Sequence, residues 1–107
     1  MVSSMSEIRF TPQAISDLTE AKDYIAKLNS EAALRYVADI MDDIRVLQQF
    51  PLSGVSLETK LSFATDLRML VCRHGYVAVY RVEDTVVSIA RVLSTKLDYI
   101  RVLLAGM

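Results

Sequence analysis

Four arginines and the chain's single histidine interrupt an otherwise apolar stretch, DLRMLVCRHGYVAVYRVEDTVVSIARVLSTKLDY, at positions 66–99. An arginine fork matches the oxygens of phosphate or carboxylate two at a time, so Arg68, Arg73, Arg81 and Arg91 are candidate anion clamps. Converging on one spot, they could hold an RNA backbone or stabilise charge in a phosphoryl-transfer transition state. His74 is the one side chain whose ordinary pKa lies near neutrality, which makes it a candidate general base. Tyr99 is a candidate general acid, although its apolar neighbour Ile100 also reads as tail packing. No Gly-rich phosphate loop, nucleophile elbow or paired-carboxylate arrangement accompanies these residues. The lone Cys72 excludes an internal disulfide, and with one histidine beside it no zinc site can be assembled. It reads as a small buried strand residue. No metal and no cofactor is expected.

The elements that must carry these side chains can be read from periodicity. Residues 7–11, EIRFT, alternate apolar and polar as a short strand does. Thr11-Pro12 is a helix start, a capping hydroxyl followed by proline where no N–H is missed. Ile15, Leu18, Ala21, Ile25 and Leu28 then keep to one helical face, with Asp17, Glu20, Lys22 and Lys27 expected in water. Asn29-Ser30 breaks this helix and caps the next, whose stripe is Ala33, Val37, Ile40, Ile44 and Leu47, widened by Leu34 and Met41. Pro51 ends it. Two helices joined so tightly form an antiparallel αα-hairpin.

Residues 51–65 form the one long irregular stretch. Three strands follow, LRMLVCR, YVAVYRV and VVSIARVL, joined by a two-residue His74-Gly75 turn and a second tight turn at 83–85. The tail LDYIRVLL reads as helical or irregular. The fold class is therefore α+β: an N-terminal strand, an αα-hairpin, a three-stranded antiparallel meander and a short C-terminal tail or helix. Both parities of the meander are apolar, with Leu67, Met69 and Val71 on one and Leu70 and Cys72 on the other. Since the hairpin covers one face only, a partner protein is expected on the second.

In this scheme Arg73 and Arg81 sit at strand ends and point to solvent. Arg91 shares parity with Val87, Ile89 and Leu93, so it interrupts an apolar face and needs an anionic partner. Arg68 lies at the mouth of the sheet. His74, at a hairpin tip with no evident carboxylate to orient it, reads as a turn residue.

The chain of 107 residues is long enough for one core and reads as one domain, with 1–6 as a flexible polar tail. No run reaches the roughly 18 apolar residues of a membrane span, and no signal peptide is evident, so the cytoplasm is the expected location. Net charge is −1, shared unevenly: residues 1–50 carry five basic and eight acidic side chains, residues 51–107 seven and five. That mild bias is far from the strong basic field of a nucleic-acid binder, so sequence-specific DNA binding is not expected.

The segments FTPQAISDLTEAKDYI, LQQFPLSG, LRMLVCRHGYVAVYRVED and ARVLSTKLDY, in this order, resemble the RelE/ParE superfamily over nearly the whole chain. These are the toxins of type II toxin–antitoxin modules, also called plasmid stabilisation proteins. The resemblance implies a small cytoplasmic poison silenced by an antitoxin that wraps its sheet and helices, with Leu70, Cys72, Val77 and Val79 as candidate antitoxin contacts. It also implies one of two activities. RelE-like members cut mRNA on the ribosome with several cations, and ParE-like members inhibit DNA gyrase. Here the nuclease set is thin. Val77 stands where those nucleases usually carry an arginine after Gly75-Tyr76, Leu70 replaces one of two basic residues, and Ser94-Thr95 follow the last strand. Arg68, Arg91, Lys96 and Tyr99 are what remains for catalysis. Removing one charge-stabilising donor typically costs about 3–4 kcal/mol. The expectation is a ParE-like, non-enzymatic gyrase inhibitor. A ribosome-dependent endonuclease and a degenerate, non-toxic antitoxin-binding domain are the alternatives.

Overall fold

The computed structural model describes residues 5–105. Residues 1–4 of the expected tail lie outside that range, and Ser6 is tied down by its N–H donating to the Gln48 carbonyl at 2.9 Å. Strand β1 spans Glu7–Phe10, and helix α1, Pro12–Leu28, begins where expected. The Thr11 hydroxyl accepts from the Ala14 N–H at 3.1 Å and donates to the Ala90 carbonyl at 3.0 Å, so this cap also ties the helix start to the sheet. The Asn29 side chain caps α2, Ser30–Arg45, by accepting from the N–H groups of Glu31 and Ala32.

The buried stripe of α1 is rotated from the expected one. Ala14, Asp17, Ala21 and Ile25 face inward, while Ile15 and Leu28 are exposed. Asp17, expected in water, is the one buried charged residue among the described residues, because an arginine and a strand edge wait for it inside. On α2 the expected Ala33, Ile40 and Ile44 are buried, continued by Leu47 in the turn that follows, but Leu34 is 72 % exposed and does not widen the core.

The irregular stretch contains two further elements, the short strand β2 at Val55–Ser56 and one turn of helix, α3, at Glu58–Leu61. Strands β3 (Arg68–Cys72), β4 (Tyr76–Glu83) and β5 (Val86–Ser94) form the expected antiparallel meander. It lies inside a five-stranded sheet of order β1-β5-β4-β3-β2, with β1 parallel to β5. The first turn is longer than expected: pairing closes at Cys72 and Tyr76, so Arg73, His74 and Gly75 all lie in it. His74 and Gly75 both take positive φ, 64° and 76°. Helix α4, Tyr99–Ala105, closes the described chain.

One core lies between the αα-hairpin and the sheet and contains Ile40, Ile44, Ala78, Tyr80, Val87 and Ile89. A second fills the opposite face, where Leu57 and Leu61 around α3 and Leu103 of α4 cover Met69, Val77, Val79 and Leu93. The second apolar face is therefore covered by the chain's own helices, so its burial does not require a partner. Among the described residues no helix is long and apolar enough to cross a membrane.

Candidate functional site

The loop after α2 is held by two side chains from the sheet. The Tyr80 hydroxyl accepts from the Gly54 N–H at 2.9 Å and donates to the Pro51 carbonyl at 2.8 Å. Arg68 donates to the Gly54 carbonyl at 2.7 Å and to the Leu52 carbonyl at 3.1 Å. A Cβ at Gly54 would lie 2.6 Å from the Tyr80 hydroxyl, so glycine is required by close approach. The FPLSG segment is thus a loop clasp, and Arg68 spends its fork on it.

Arg91 is also committed. Its Nε and Nη2 donate to the two oxygens of Asp17 at 2.8 and 3.0 Å, and the Val92 N–H donates to the same carboxylate at 2.9 Å. Asp17 therefore caps the edge of β5 and neutralises Arg91, whose guanidinium it holds above its ordinary pKa. The anionic partner expected for Arg91 exists, but the parity that called for it does not. A bulge between Val79 and Tyr80 leaves Ala90 unpaired, so Val87 and Ile89 face the helices while Arg91 stands opposite Val79. Arg68 stands opposite Tyr80. The two arginines accordingly occupy opposite faces by register, with β4 between their strands.

The remaining candidates separate further. Lys96 is exposed and has no acidic partner among the described residues. Tyr99 packs against the second core. Among the proposed antitoxin contacts, Cys72, Val77 and Val79 are buried within the chain and Leu70 is half-buried against the first core. Burial pushes the Cys72 thiol up to about 12, so it stays protonated and unreactive at neutral pH. Arg73 and Arg81, expected free in solvent, pair with Asp39 and Asp43 and with Asp66.

His74 does have a carboxylate. Its Nε2 lies 2.8 Å from Asp39 Oδ2, and its ring stacks on Tyr36 with centroids 3.7 Å apart and planes 4° from parallel. The pairing spans 35 positions, so nothing local in the sequence announces it. The Arg73 N–H adds a bond to Asp43 at 2.8 Å, and together these contacts pin the turn to α2.

Two adjoining hollows, about 440 and 170 Å³, lie between α1, the end of β5 and the neighbouring turns, and share Tyr24, Tyr76, Ser94 and Lys96. Arg91 and Lys96 both line the larger one, together with Asp17 and Glu20. Burial, reinforced by Tyr24, raises the Tyr76 phenol above its ordinary value, so it stays a neutral hydroxyl. No group of three or more His, Cys, Asp or Glu among the described residues could hold a metal ion. The larger hollow thus combines apolar and aromatic walls with the Asp17–Arg91 ion pair, Glu20 and the exposed Lys96.

Comparison with known proteins agrees with this architecture. Residues 8–99 match the family described as "ParE toxin of type II toxin-antitoxin system, parDE". The chain is 34 % identical over 88 residues to "Toxin RelE2" of Caulobacter vibrioides, covering 82 % of this chain and 93 % of that protein. Its fold is similar to a solved chain of the "Chromosomal ParDE TA system from P. aeruginosa", with a TM-score of 0.73 at 26 % identity over 86 % of this chain and 98 % of that one. It is also similar to a chain of the RelBE2 toxin-antitoxin complex from Mycobacterium tuberculosis, with a TM-score of 0.56 at 26 % identity, covering 87 % and 94 %. With its helix hairpin on one sheet face, its clasped FPLSG loop and a match to nearly every described element, the chain belongs to the ParE toxin family of type II toxin–antitoxin systems.

Proposed function

We propose that this protein acts as a ParE-like toxin in the cytoplasm, that it inhibits DNA gyrase by binding, and that a cognate antitoxin silences it. The observation that carries this reading is that the cations do not converge. Arg68 is spent on loop carbonyls, Arg91 on Asp17, and Tyr99 packs into the second core, which leaves Lys96 alone. A nuclease transition state gains little from a single exposed lysine, since each missing donor costs about 3–4 kcal/mol. Inhibition by binding needs no such set, and on this reading the protein is not an enzyme. The higher TM-score to the ParDE chain than to the RelBE2 chain points the same way. Expression without the antitoxin should arrest growth, and the purified protein should block supercoiling by gyrase. Supercoiling that proceeds unchanged at high molar excess overturns the gyrase reading.

A second reading, a RelE-like ribosome-dependent mRNA endonuclease, draws on the name of the Caulobacter relative and on Arg91 and Lys96 lining one hollow. Codon-phased cuts on translating ribosomes, mapped by primer extension, would select it. A chain that leaves growth untouched would instead be the degenerate antitoxin-binding domain.

A further inference from the structure

Tyr76 and Tyr80 lie on one strand and belong to the same core, yet their hydroxyls differ. Tyr80, fully buried, donates to the Pro51 carbonyl and accepts from the Gly54 N–H. Tyr76 is 8 % exposed, and its hydroxyl makes no hydrogen bond among the described residues. A phenol placed so deep is unfavourable unless its hydroxyl finds a partner. No fully buried side-chain nitrogen or oxygen of the described residues lacks one, so the Tyr76 hydroxyl must reach the surface that Tyr76 lines, the wall of both hollows.

The smaller hollow, of about 170 Å³, is walled by rings. His74 and Tyr36 stand parallel at 3.7 Å, and the bond between His74 and Asp39 holds that pair in place before any ligand arrives. Tyr24 and Leu28 of α1 line the same hollow and are 53 % and 71 % exposed, so both keep apolar surface that a bound ring would bury. Lys96 lines both hollows, is exposed and has no acidic partner among the described residues.

We infer that the smaller hollow binds a small aromatic carboxylate, its ring among Tyr24, Tyr36 and His74 and its carboxylate between the Lys96 ammonium and the Tyr76 hydroxyl. The volume lies below the roughly 300–1,000 Å³ of drug-sized ligand sites and suits a single ring system. Aromatic walls favour a flat ring, through offset or edge contacts, over an aliphatic chain of the same size. Tyr76, held as a neutral hydroxyl by its burial, is the donor that a carboxylate needs beside a cation. A single negative charge is also what the surroundings accept. Lys96 is the one lysine or arginine lining the smaller hollow, while Asp17 and Glu20 line the larger one that adjoins it. A phosphate chain extending that way meets repulsion, so a nucleotide fits less well than a monocarboxylate. Such a site neither requires nor excludes the toxin activity proposed above.

The probes are phenylacetate and indole-3-acetate, titrated into the full chain and followed by calorimetry and by amide chemical shifts. Phenylacetate should saturate with a Kd of about 1 mM or tighter, shift the His74 and Lys96 amides and raise Tm with its concentration. Phenylacetamide, which lacks the charge, and acetate, which lacks the ring, should each bind about tenfold more weakly or worse. Lys96→Met, at an exposed position, should weaken phenylacetate by about tenfold or more while circular dichroism stays unchanged. Tyr76→Phe keeps the buried ring, removes only the hydroxyl and should weaken phenylacetate about three- to tenfold. If neither arylacetate saturates, or if both variants bind phenylacetate as the wild type does, the site is refuted. Adenosine monophosphate binding more tightly than either arylacetate would make the hollow a nucleotide site and overturn the inference as well.

Discussion

The Asp17 carboxylate meets Arg91 across 74 positions of sequence, accepting from Nε at 2.8 Å and from Nη2 at 3.0 Å, while the Val92 N–H supplies a third donor. The carboxylate is 4 % exposed and the guanidinium 22 %, and the two deletions should reflect that asymmetry. Asp17→Ala leaves an arginine that can still reach water, so its cost falls below that of breaking a fully buried pair, at about 2–3 kcal/mol. Arg91→Met strands a buried carboxylate with one backbone donor and should cost about 3–5 kcal/mol. Urea unfolding of both variants and of the double mutant gives the coupling. If Arg91→Met were the milder change, Arg91 would not be what compensates the buried Asp17 carboxylate.

The Gly54–Tyr80 contact makes a second prediction. Gly54→Ala forces its Cβ against the Tyr80 hydroxyl at 2.6 Å and the Met69 carbonyl at 2.7 Å, and both are held in place by other bonds. Overpacking of this kind typically costs about 1–3 kcal/mol. Tyr80→Phe keeps the ring but leaves the Gly54 N–H and the Pro51 carbonyl unpaired, at a similar cost. Because the two changes break one clasp, their combination should cost clearly less than the sum. Additive losses in denaturant melts would show that the clasp is not a unit.

Which of these features could be read from the chain follows from how far each signal reaches. The Thr11-Pro12 and Asn29 caps were readable because a cap is a contact across two or three positions. The αα-hairpin and the meander followed from periodicity over a dozen residues or more. The rotated face of α1 did not, because Asp17 looks polar until Arg91 is placed beside it. The bulge at Ala90 reversed the parity of every residue after it, and no local residue marks it. His74 looked unsupported because its partners Asp39 and Tyr36 come from a helix more than thirty residues earlier. The second apolar face announces its need for a cover in the sequence, but the cover itself does not show there, because α3 is one turn long and the tail is too short for a clear helical period.

That cover is the subject of a third prediction. Leu103 is 5 % exposed and joins α4 to the second core over Val77, Val79 and Leu93. Leu103→Ala should cost about 2–5 kcal/mol if α4 is firmly seated. Should the cost fall well below that range, α4 opens by itself, and hydrogen exchange across residues 99–105 would then approach that of a free peptide while the sheet stays protected. Enhanced binding of a hydrophobic dye to Leu103→Asp would report the uncovered face directly.

Acid should loosen the turn that carries His74. The hydrogen bond from His74 outweighs the opposing effect of burial, and with the smaller attractions of Arg73, His74 and Arg35 it holds the Asp39 carboxyl below its ordinary value. A group whose pKa is lowered by folding contributes stability above its unfolded value and loses it as pH falls through the folded one. The Asp39 contribution is therefore complete at neutral pH and disappears only in the acid limb, below the ordinary carboxylate range. Asp39→Asn should lower Tm at neutral pH, and the gap to wild type should close as pH falls through that limb. Arg73 keeps its bonds to Asp43 in this variant, so the loss should be local, with faster exchange at residues 73–75 and little change in β5. A gap of constant size across the acid limb would mean that Asp39 acts through packing and not through its charge.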